Sequence, residues 1–438
     1  MAKVYLVSLG CDKNRVDGEV MIGNLRRAGY EVINEPAQAG CIIVNTCGFI
    51  SDAVKESIDL VLELAAYKEE GKCRGLIIVG CMSERYRDEI QASIPEADAI
   101  LGVKEYDTIG AVVESLVGAP THKPENGLLG NPYLSRLAAR HDDVAPHVAY
   151  VKISEGCDNH CTYCTIPSIR GTYTARDMDN ILEECTLLVG AGVREIVLVA
   201  QDTALYAGLP ELLRKIAALG DIWIRLMYAY PEHITAELIQ TMAELPQVCK
   251  YIDMPIQHSE DSVLSRMGRQ GSSRNMLVKV IEDLRSAMPD IAIRTTVMVG
   301  FPGETAADFK GLYSFVEKMQ FARLGVFPYS REDGTPAATM PKQVGAETKT
   351  NRMKKIMELQ QKIHFAKQES MVGKVVPVII DAEQNGVFTA RTVQDAYEVD
   401  AVVYVESNKP LKTGQICQVK ITEAEEYDLR GVVYEPSE

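Results

Sequence analysis

The sequence predicts a multidomain α/β chain that ends in a small antiparallel β-barrel, and three observations lead there. The first is length: 438 residues exceed what one ordinary core holds, so two or three domains are expected. The second is a pattern that occurs twice, in which short Val-, Ile- and Leu-rich runs alternate with longer helical periods. That is the mark of parallel βα construction. The third is a change after Gly373 to short alternating runs parted by turn residues. The expected boundaries are 1–118 for a doubly wound α/β domain, 119–146 for a linker and 147–346 for a set of βα units. A connecting helix at 347–370 and the barrel at 371–438 complete the chain.

In the first domain Val4–Leu9, Cys41–Asn45, Leu76–Val79 and Ala99–Leu101 read as strands. Val16–Ala28, Ile50–Tyr67 and Glu84–Ser93 read as helices. In such sheets ligands sit at the carboxyl ends of the strands. The stretch from Ala119 to about His147 is rich in Pro, Gly, Asn and Arg without periodicity, and reads as a connection. Central strands are expected at Ala149–Ile153, Glu195–Ala200, Trp223–Tyr228, Tyr251–Pro255, Ala292–Val299 and Leu324–Pro328. The polar residues at their carboxyl ends are Gln201-Asp202, Tyr230, Gln257-His258 and the turn Gly300-Phe301-Pro302-Gly303-Glu304. His258 reads either as a contact in the mouth or as a hydrogen-bonded structural histidine.

Thr348–Glu369 reads as one amphipathic helix with Met353, Ile356, Met357 and Ile363 on one face. Its basic residues, Arg352, Lys354, Lys355 and Lys362, lie elsewhere and either touch RNA or form a solvated face. Barrel strands are expected at Val375–Ile380, Val387–Thr392, Ala401–Val405, Gln415–Thr422 and Leu429–Val433.

Charge and cysteine content bound the function. The net charge of −15 opposes non-specific nucleic-acid binding and favours a basic partner. The barrel region, 371–438, carries 6 Lys and Arg against 12 Asp and Glu, with Glu423, Glu425, Glu426 and Asp428 concentrated in one stretch. No run of some 18 apolar residues is available to span a bilayer. The odd count of 11 cysteines, on a chain whose start shows no signal-peptide pattern, points to reduced thiols and metal ligation in the cytoplasm.

Cys157, Cys161 and Cys164 stand at spacings of four and three in Gly156-Cys157-Asp158-Asn159-His160-Cys161-Thr162-Tyr163-Cys164. A structural zinc site takes four ligands, and no fourth is near. Three thiolates on a tight loop suit a cubane 4Fe-4S cluster with one iron left open. Cys11, Cys47 and Cys81 each end an expected strand at the same rim, so they can converge. They read either as a second cluster site or as three small buried thiols. Cys41, Cys73, Cys185, Cys249 and Cys417 read as structural.

This CxxxCxxC motif, with Tyr163 before its third cysteine, resembles the signature of the radical S-adenosylmethionine superfamily. Ser8-Leu9-Gly10-Cys11-Asp12-Lys13-Asn14, Asn45-Thr46-Cys47-Gly48-Phe49-Ile50 and Val79-Gly80-Cys81-Met82 resemble the N-terminal domain of the methylthiotransferases. The last region resembles the TRAM domain that closes them. The resemblance implies a partial (β/α)6 radical S-adenosylmethionine barrel at the centre and two 4Fe-4S clusters, on Cys157, Cys161 and Cys164 and on Cys11, Cys47 and Cys81. It implies S-adenosylmethionine as both radical source and methyl donor, bordered by Tyr163, Gln201, Gly300 and Gly303. Arg294, or Arg170, would meet the cofactor carboxylate or form a structural salt bridge.

Two branches of that family share the chemistry. One methylthiolates an adenosine of tRNA; the other methylthiolates the β-carbon of an aspartate in the twelfth small-subunit ribosomal protein, at the decoding centre. The acidic barrel, Cys11-Asp12-Lys13-Asn14 and Pro255-Ile256-Gln257-His258 favour the protein branch. The partners implied are that basic ribosomal protein, free or on the assembled small subunit, and an electron donor such as a flavodoxin. Direct RNA binding and a membrane are not favoured. Outside this chemistry stand a two-cluster electron carrier and a metal-stabilised RNA-binding module.

Overall fold

A computed structural model describes residues 3–119, 131–142 and 145–435. By internal contacts the chain divides into two units: Met1–Val144 with Glu155–Asp158 and Cys164–Asn180, and Ala145–Ser154 with Asn159–Tyr163 and Ile181–Glu438.

The first unit is built on five strands: β1 (Lys3–Ser8), β2 (Glu31–Ile33), β3 (Cys41–Thr46), β4 (Gly75–Gly80) and β5 (Ala99–Leu101). They pair in parallel throughout, in the order β2-β1-β3-β4-β5. The helices are α1 (Asp12–Arg27), α2 (Ser51–Ala65), α3 (Tyr67–Glu70), α4 (Cys81–Arg85), α5 (Arg87–Ser93) and α6 (Ile109–Val117). β3 and β4 are apolar along nearly their whole length because both faces are covered. Successive residues point to opposite sides. Ile43, Ile77 and Val79 pack with Met21 and Leu25 of α1 and Val113 of α6. Ile42, Val44 and Ile78 pack with Val61 and Leu64 of α2 and Ile90 of α5. Between β1 and β3 the strand order reverses, the place where open α/β sheets form a ligand crevice. The edge strand β2 and helix α6 were not anticipated from the sequence; β2 is only three residues long.

Part of the expected linker belongs to this unit. Pro132–Asp142 forms a 3₁₀ stretch against α1. Ser135 Oγ donates to the Val20 carbonyl at 3.2 Å and Arg136 Nε to Glu19 Oε2 at 2.8 Å. The rest of that linker, residues 120–130 and 143–144, lies outside the described residues.

The second unit holds six parallel strands: β6 (Val148–Lys152), then β9 (Glu195–Val199), β10 (Trp223–Leu226), β11 (Val248–Asp253), β12 (Ala292–Val299) and β13 (Arg323–Pro328). Two-residue strands β7 (Ser154–Glu155) and β8 (Thr174–Ala175) bracket the cysteine segment in the chain. The six strands lie in simple chain order, each beside its successor, as in an open portion of a βα barrel. Along the chain between them come α7 (Ile166–Arg170), which belongs to the first unit, α8 (Met178–Gly190), which begins in it, and α9 (Leu209–Ala217), α10 (Ala236–Glu244), α11 (Asp261–Arg266), α12 (Arg274–Ala287) and α13 (Ala306–Met319). α14 (Pro336–Thr339) and the long α15 (Ala346–Glu369) follow β13.

The buried side of α15 differs from expectation. Ile356, Leu359, Gln360, Ile363, His364 and Gln368 are buried, and Met357 is exposed. Three of these are polar, which hid them from an apolar pattern. Each has a partner: Gln360 donates to Phe321 O at 3.1 Å, while His364 Nε2 and Gln368 Nε2 each meet Tyr427 O at 2.9 Å.

The last five strands close a barrel: β14 (Val375–Gln384), β15 (Val387–Thr392), β16 (Val403–Glu406), β17 (Ile416–Ala424) and β18 (Leu429–Val433). It is not antiparallel throughout, since β16 and β18 pair in parallel. An odd number of strands cannot alternate direction all the way round a ring.

The barrel docks on the amino ends of the central strands through buried charge. Glu195, the first residue of β9, accepts from Arg225 Nε at 2.7 Å and from Arg391 Nη2 of β15 at 2.7 Å. Arg391 also donates to Asp381 at 2.7 and 2.9 Å, and His147 Nε2 lies 2.8 Å from that carboxylate. Tyr251 Oη donates to Asp400 at 2.9 Å, and Arg323 pairs with Asp395. Burial raises the Glu195 carboxyl, but Arg391 and Arg225 outweigh it and hold the group at about 2, below its ordinary 4.5. The stabilisation is therefore complete above pH 4.5 and is lost as pH falls toward 2. Glu195→Gln leaves two buried guanidinium groups short of charge and is expected to cost about 3–5 kcal/mol at neutral pH. Denaturant unfolding of both proteins checks this, and the gap should narrow as pH approaches 2.

Candidate active site

Strands β1, β3 and β4 are neighbours, and each runs off its carboxyl end into a cysteine: Cys11, Cys47 and Cys81. Side chains hold the three ends together. Asn14 Nδ2 donates to Leu9 O at 2.7 Å and reaches Asn45 O and Thr46 O at 3.4 and 3.3 Å. Asn45 Nδ2 answers with bonds to Asn14 O at 2.8 Å and Ser8 Oγ at 3.1 Å. Ser57 of α2 accepts from Cys47 N at 3.0 Å and donates to Cys47 O at 3.1 Å. Gly10, at φ +88°, brings the first strand end against the second, where a Cβ would lie 2.8 Å from Cys47 Cβ and 2.9 Å from its Sγ. No other residue type fits there without displacing the cysteine.

Cys81 is buried, Cys47 partly so, and Cys11 exposed. Burial pushes the Cys81 thiol up to about 11, with Arg170 working against it and Cys11 and Cys47 adding to it. Burial also raises Cys47, with the backbone N–H of Phe49 opposing. The sequence left Arg170 open as a ligand for a cofactor carboxylate; its guanidinium is instead fully engaged. It pairs with Asp17 at 2.6 Å and Glu155 at 3.3 Å, and donates to Asn14 Oδ1 and Cys81 Sγ, each at 3.2 Å.

The CxxxCxxC segment contributes Cys157 and Cys164 to the first unit and Cys161 to the second. In the first, Cys157 N donates to Gly171 O at 3.1 Å, Ile166 N points at Cys164 Sγ at 3.4 Å, and Asp158 accepts from Tyr173 N at 2.9 Å. In the second, Cys161 Sγ lies 2.9 Å from Tyr230 Oη, whose ring sits 4.2 Å beneath the Arg269 guanidinium. Asp202, at the carboxyl end of β9, gathers Asn159 Nδ2 at 3.3 Å, Tyr230 N at 3.2 Å and His233 Nδ1 at 2.6 Å. That hydrogen bond raises the His233 pKa, with burial opposing. Tyr163 meets Phe301 edge-on at 6.3 Å.

Both donor sets are sulfur only, and both carry N–H or O–H groups next to sulfur, as iron–sulfur ligation uses. Among the described residues no three His, Cys, Asp or Glu side chains close on a single ion position. A cubane takes one thiolate on each of several separate irons, which an all-sulfur set of three supplies.

The glycine-rich turn after β12 is closed by its own glutamate. Gly300 (φ +72°) and Phe301 donate to Glu304 Oε2, the latter at 3.0 Å, and Gly303 is at φ +78°. Glu304 Oε1 pairs with Arg352 at 3.1 Å. His258 is buried and accepts from Glu260 N at Nδ1 (3.1 Å), while its Nε2 lies 4.0 Å from Glu304 Oε1. Gln201 is half-buried at the end of β9. Arg294 is not with these residues. It is the third residue of β12 and pairs with Asp253 at 2.9 Å and Asp400 at 3.6 Å, the salt-bridge alternative. Sequence reasoning missed Asp17, Ser57 and Arg269, none of which stands in a motif. Gly10→Ala is expected to destabilise the first unit by about 1–3 kcal/mol, from positive φ and the Cys47 clash, in a denaturant titration.

Comparison with known proteins follows the same three parts. Residues 3–102 match the uncharacterized protein family UPF0004, 151–316 the radical SAM superfamily and 372–433 the TRAM domain. The ribosomal protein uS12 methylthiotransferase RimO of Lachnoclostridium phytofermentans is 45% identical over 440 residues, 98% of this chain and 99% of the relative. RimO of Clostridium kluyveri is 45% identical over 443 residues, 99% of each chain. Among solved structures, the radical S-adenosylmethionine methyltransferase TsrM of Kitasatospora setae, with cobalamin and a [4Fe-4S] cluster bound, aligns with a TM-score of 0.56 at 13% identity. That alignment covers 89% of this chain and 80% of TsrM and shows a shared fold. With near-complete coverage at such identity, the chain belongs to the RimO family of radical S-adenosylmethionine methylthiotransferases.

Proposed function

We propose that this protein is a cytoplasmic enzyme that methylthiolates ribosomal protein uS12, at the β-carbon of an aspartate, by radical S-adenosylmethionine chemistry. The observation that carries the reading is the juxtaposition of three strand-end cysteines on adjacent parallel strands, in a chain that also bears CxxxCxxC and aligns end to end with RimO proteins. In this reading 1–118 is the methylthiotransferase domain, 119–146 the linker, 147–346 the radical domain, 347–370 the connecting helix and 371–438 the TRAM barrel.

Cys157, Cys161 and Cys164 would hold one 4Fe-4S cluster, and Cys11, Cys47 and Cys81 a second. When bound, the two groups would supply an electron to cleave S-adenosylmethionine and a sulfur for insertion. The protein's own part is orientation and exclusion of water. Tyr230 holds a hydroxyl on Cys161 Sγ, and Asp202 fixes the backbone of Tyr230 and the side chain of Asn159. Tyr163, Gln201, Gly300 and Gly303 would border the cofactor, with Glu304 fixing the shape of the turn through the Gly300 and Phe301 amides. Arg294 stands apart from them, paired with Asp253 and Asp400. An unactivated C–H bond on the substrate demands a radical, because acid–base groups of ordinary pKa cannot remove that hydrogen.

The substrate is a basic protein, free or on the small subunit, and the acidic barrel favours it over RNA: Glu423 and Glu426 are exposed there. An outside electron donor, such as a flavodoxin, is required.

Anaerobically reconstituted protein, given reductant, S-adenosylmethionine, uS12 and unmodified tRNA in parallel, should add a methylthio group to uS12 alone by mass spectrometry. A gain on tRNA alone would overturn the substrate. Cys161→Ala should abolish cofactor cleavage. Cys47→Ala should retain cleavage but stop sulfur insertion, and methylthio product from that variant would remove the role of the N-terminal triplet.

A further inference from the structure

Arg170 is 3% exposed, yet it belongs to no ordinary salt bridge. Its two terminal nitrogens do different work. Nη1 is held by carboxylates, Asp17 at 2.6 Å and Glu155 at 3.3 Å. Nη2 is thereby aimed at Asn14 Oδ1 and Cys81 Sγ, 3.2 Å each. Asn14 is the residue that binds the ends of β1 and β3, so the fork touches every strand end that carries a cysteine of the triplet, directly or through one side chain. Cys81 is buried on one side by apolar groups, sharing one cluster with Ile169 and Val103. In such surroundings a charged donor on sulfur is strong. A lysine cannot reproduce the geometry, because the fork needs two nitrogens held in one plane.

We propose that Arg170 is a positioning residue for Cys81 that also sets the reduction potential of the cluster held by Cys11, Cys47 and Cys81. This rests on the two-cluster reading above. A cation donating an N–H to a ligand sulfur stabilises the more negative, reduced form, so it raises the potential. Arg170 lies six residues beyond Cys164, so the segment that follows one cysteine triplet tunes the other.

The test uses the full-length chain with Cys157, Cys161 and Cys164 all changed to Ala, reconstituted anaerobically so that only the N-terminal triplet can hold iron. Iron and sulfide are counted, and an EPR-monitored titration with dithionite, which delivers one electron, gives the midpoint potential. In the same background Arg170→Met should keep the iron and lower the potential by at least about 59 mV, a tenfold change in the one-electron equilibrium. Arg170→Lys should recover part of the shift but leave an altered EPR spectrum. If Arg170→Met keeps its iron with potential and spectrum unchanged, the proposal is wrong. If Arg170→Met fails to hold iron, Arg170→Lys decides in the same way: a shifted potential or altered spectrum supports it, and parental values overturn it. If the parent triple variant binds no iron, the two-cluster reading fails, and this proposal falls with it.

Discussion

Parallel pairing is the constraint on which the rest depends. When all strands of a sheet run the same way, their carboxyl ends gather on one rim, whatever the distance between them in sequence. In the first unit this brings together residues 11, 47 and 81 with no contact between them earlier in the chain. In the second it gathers Asp202, Tyr230 and the Gly300–Glu304 turn. The chemistry-bearing residues all follow strand ends, while the long apolar runs inside the strands provide the fixed frame.

The opposite rim of the central sheet is spoken for. There Glu195, Arg225 and Arg391 form a buried, hydrogen-bonded set, with Asp381 and His147 completing it. Arg294 and Arg323 reach Asp400 and Asp395 beside it. Buried charge of this kind is a weak source of net stability but strict about geometry, since any misfit leaves an ion unpaired. It fixes the closing barrel at the amino ends of the strands, the rim opposite the one that carries Asp202, Tyr230 and the Gly300–Glu304 turn.

Much of this was readable from residues alone. All six central strands appear where apolar runs were expected, because parallel strands buried on both faces carry an unmistakable pattern. The connecting helix was also expected, but its buried face was misassigned: Gln360, His364 and Gln368 are buried through hydrogen bonds that no hydropathy pattern records. The parallel closure of β16 on β18 was missed for a topological reason, since strand propensity says nothing of direction. Arg294 looked like a cofactor ligand because it lies in a barrel strand; its position at the amino half of β12 turns it toward Asp253 and Asp400 instead.

Family and three-part order were legible in the residues, as were the loop spacing of one cysteine triplet and the strand-end positions of the other, because such features are local. Tertiary structure alone decided which arginine serves which group. Arg170 and Arg294 are chemically identical in sequence, and each stood open to a cofactor carboxylate or a salt bridge. Only the packing of α1 and the Cys81 turn around one, and of Asp253 and Asp400 around the other, tells them apart. A guanidinium takes the role of whatever acceptors surround it, and acceptors far away in sequence are brought to it by the fold.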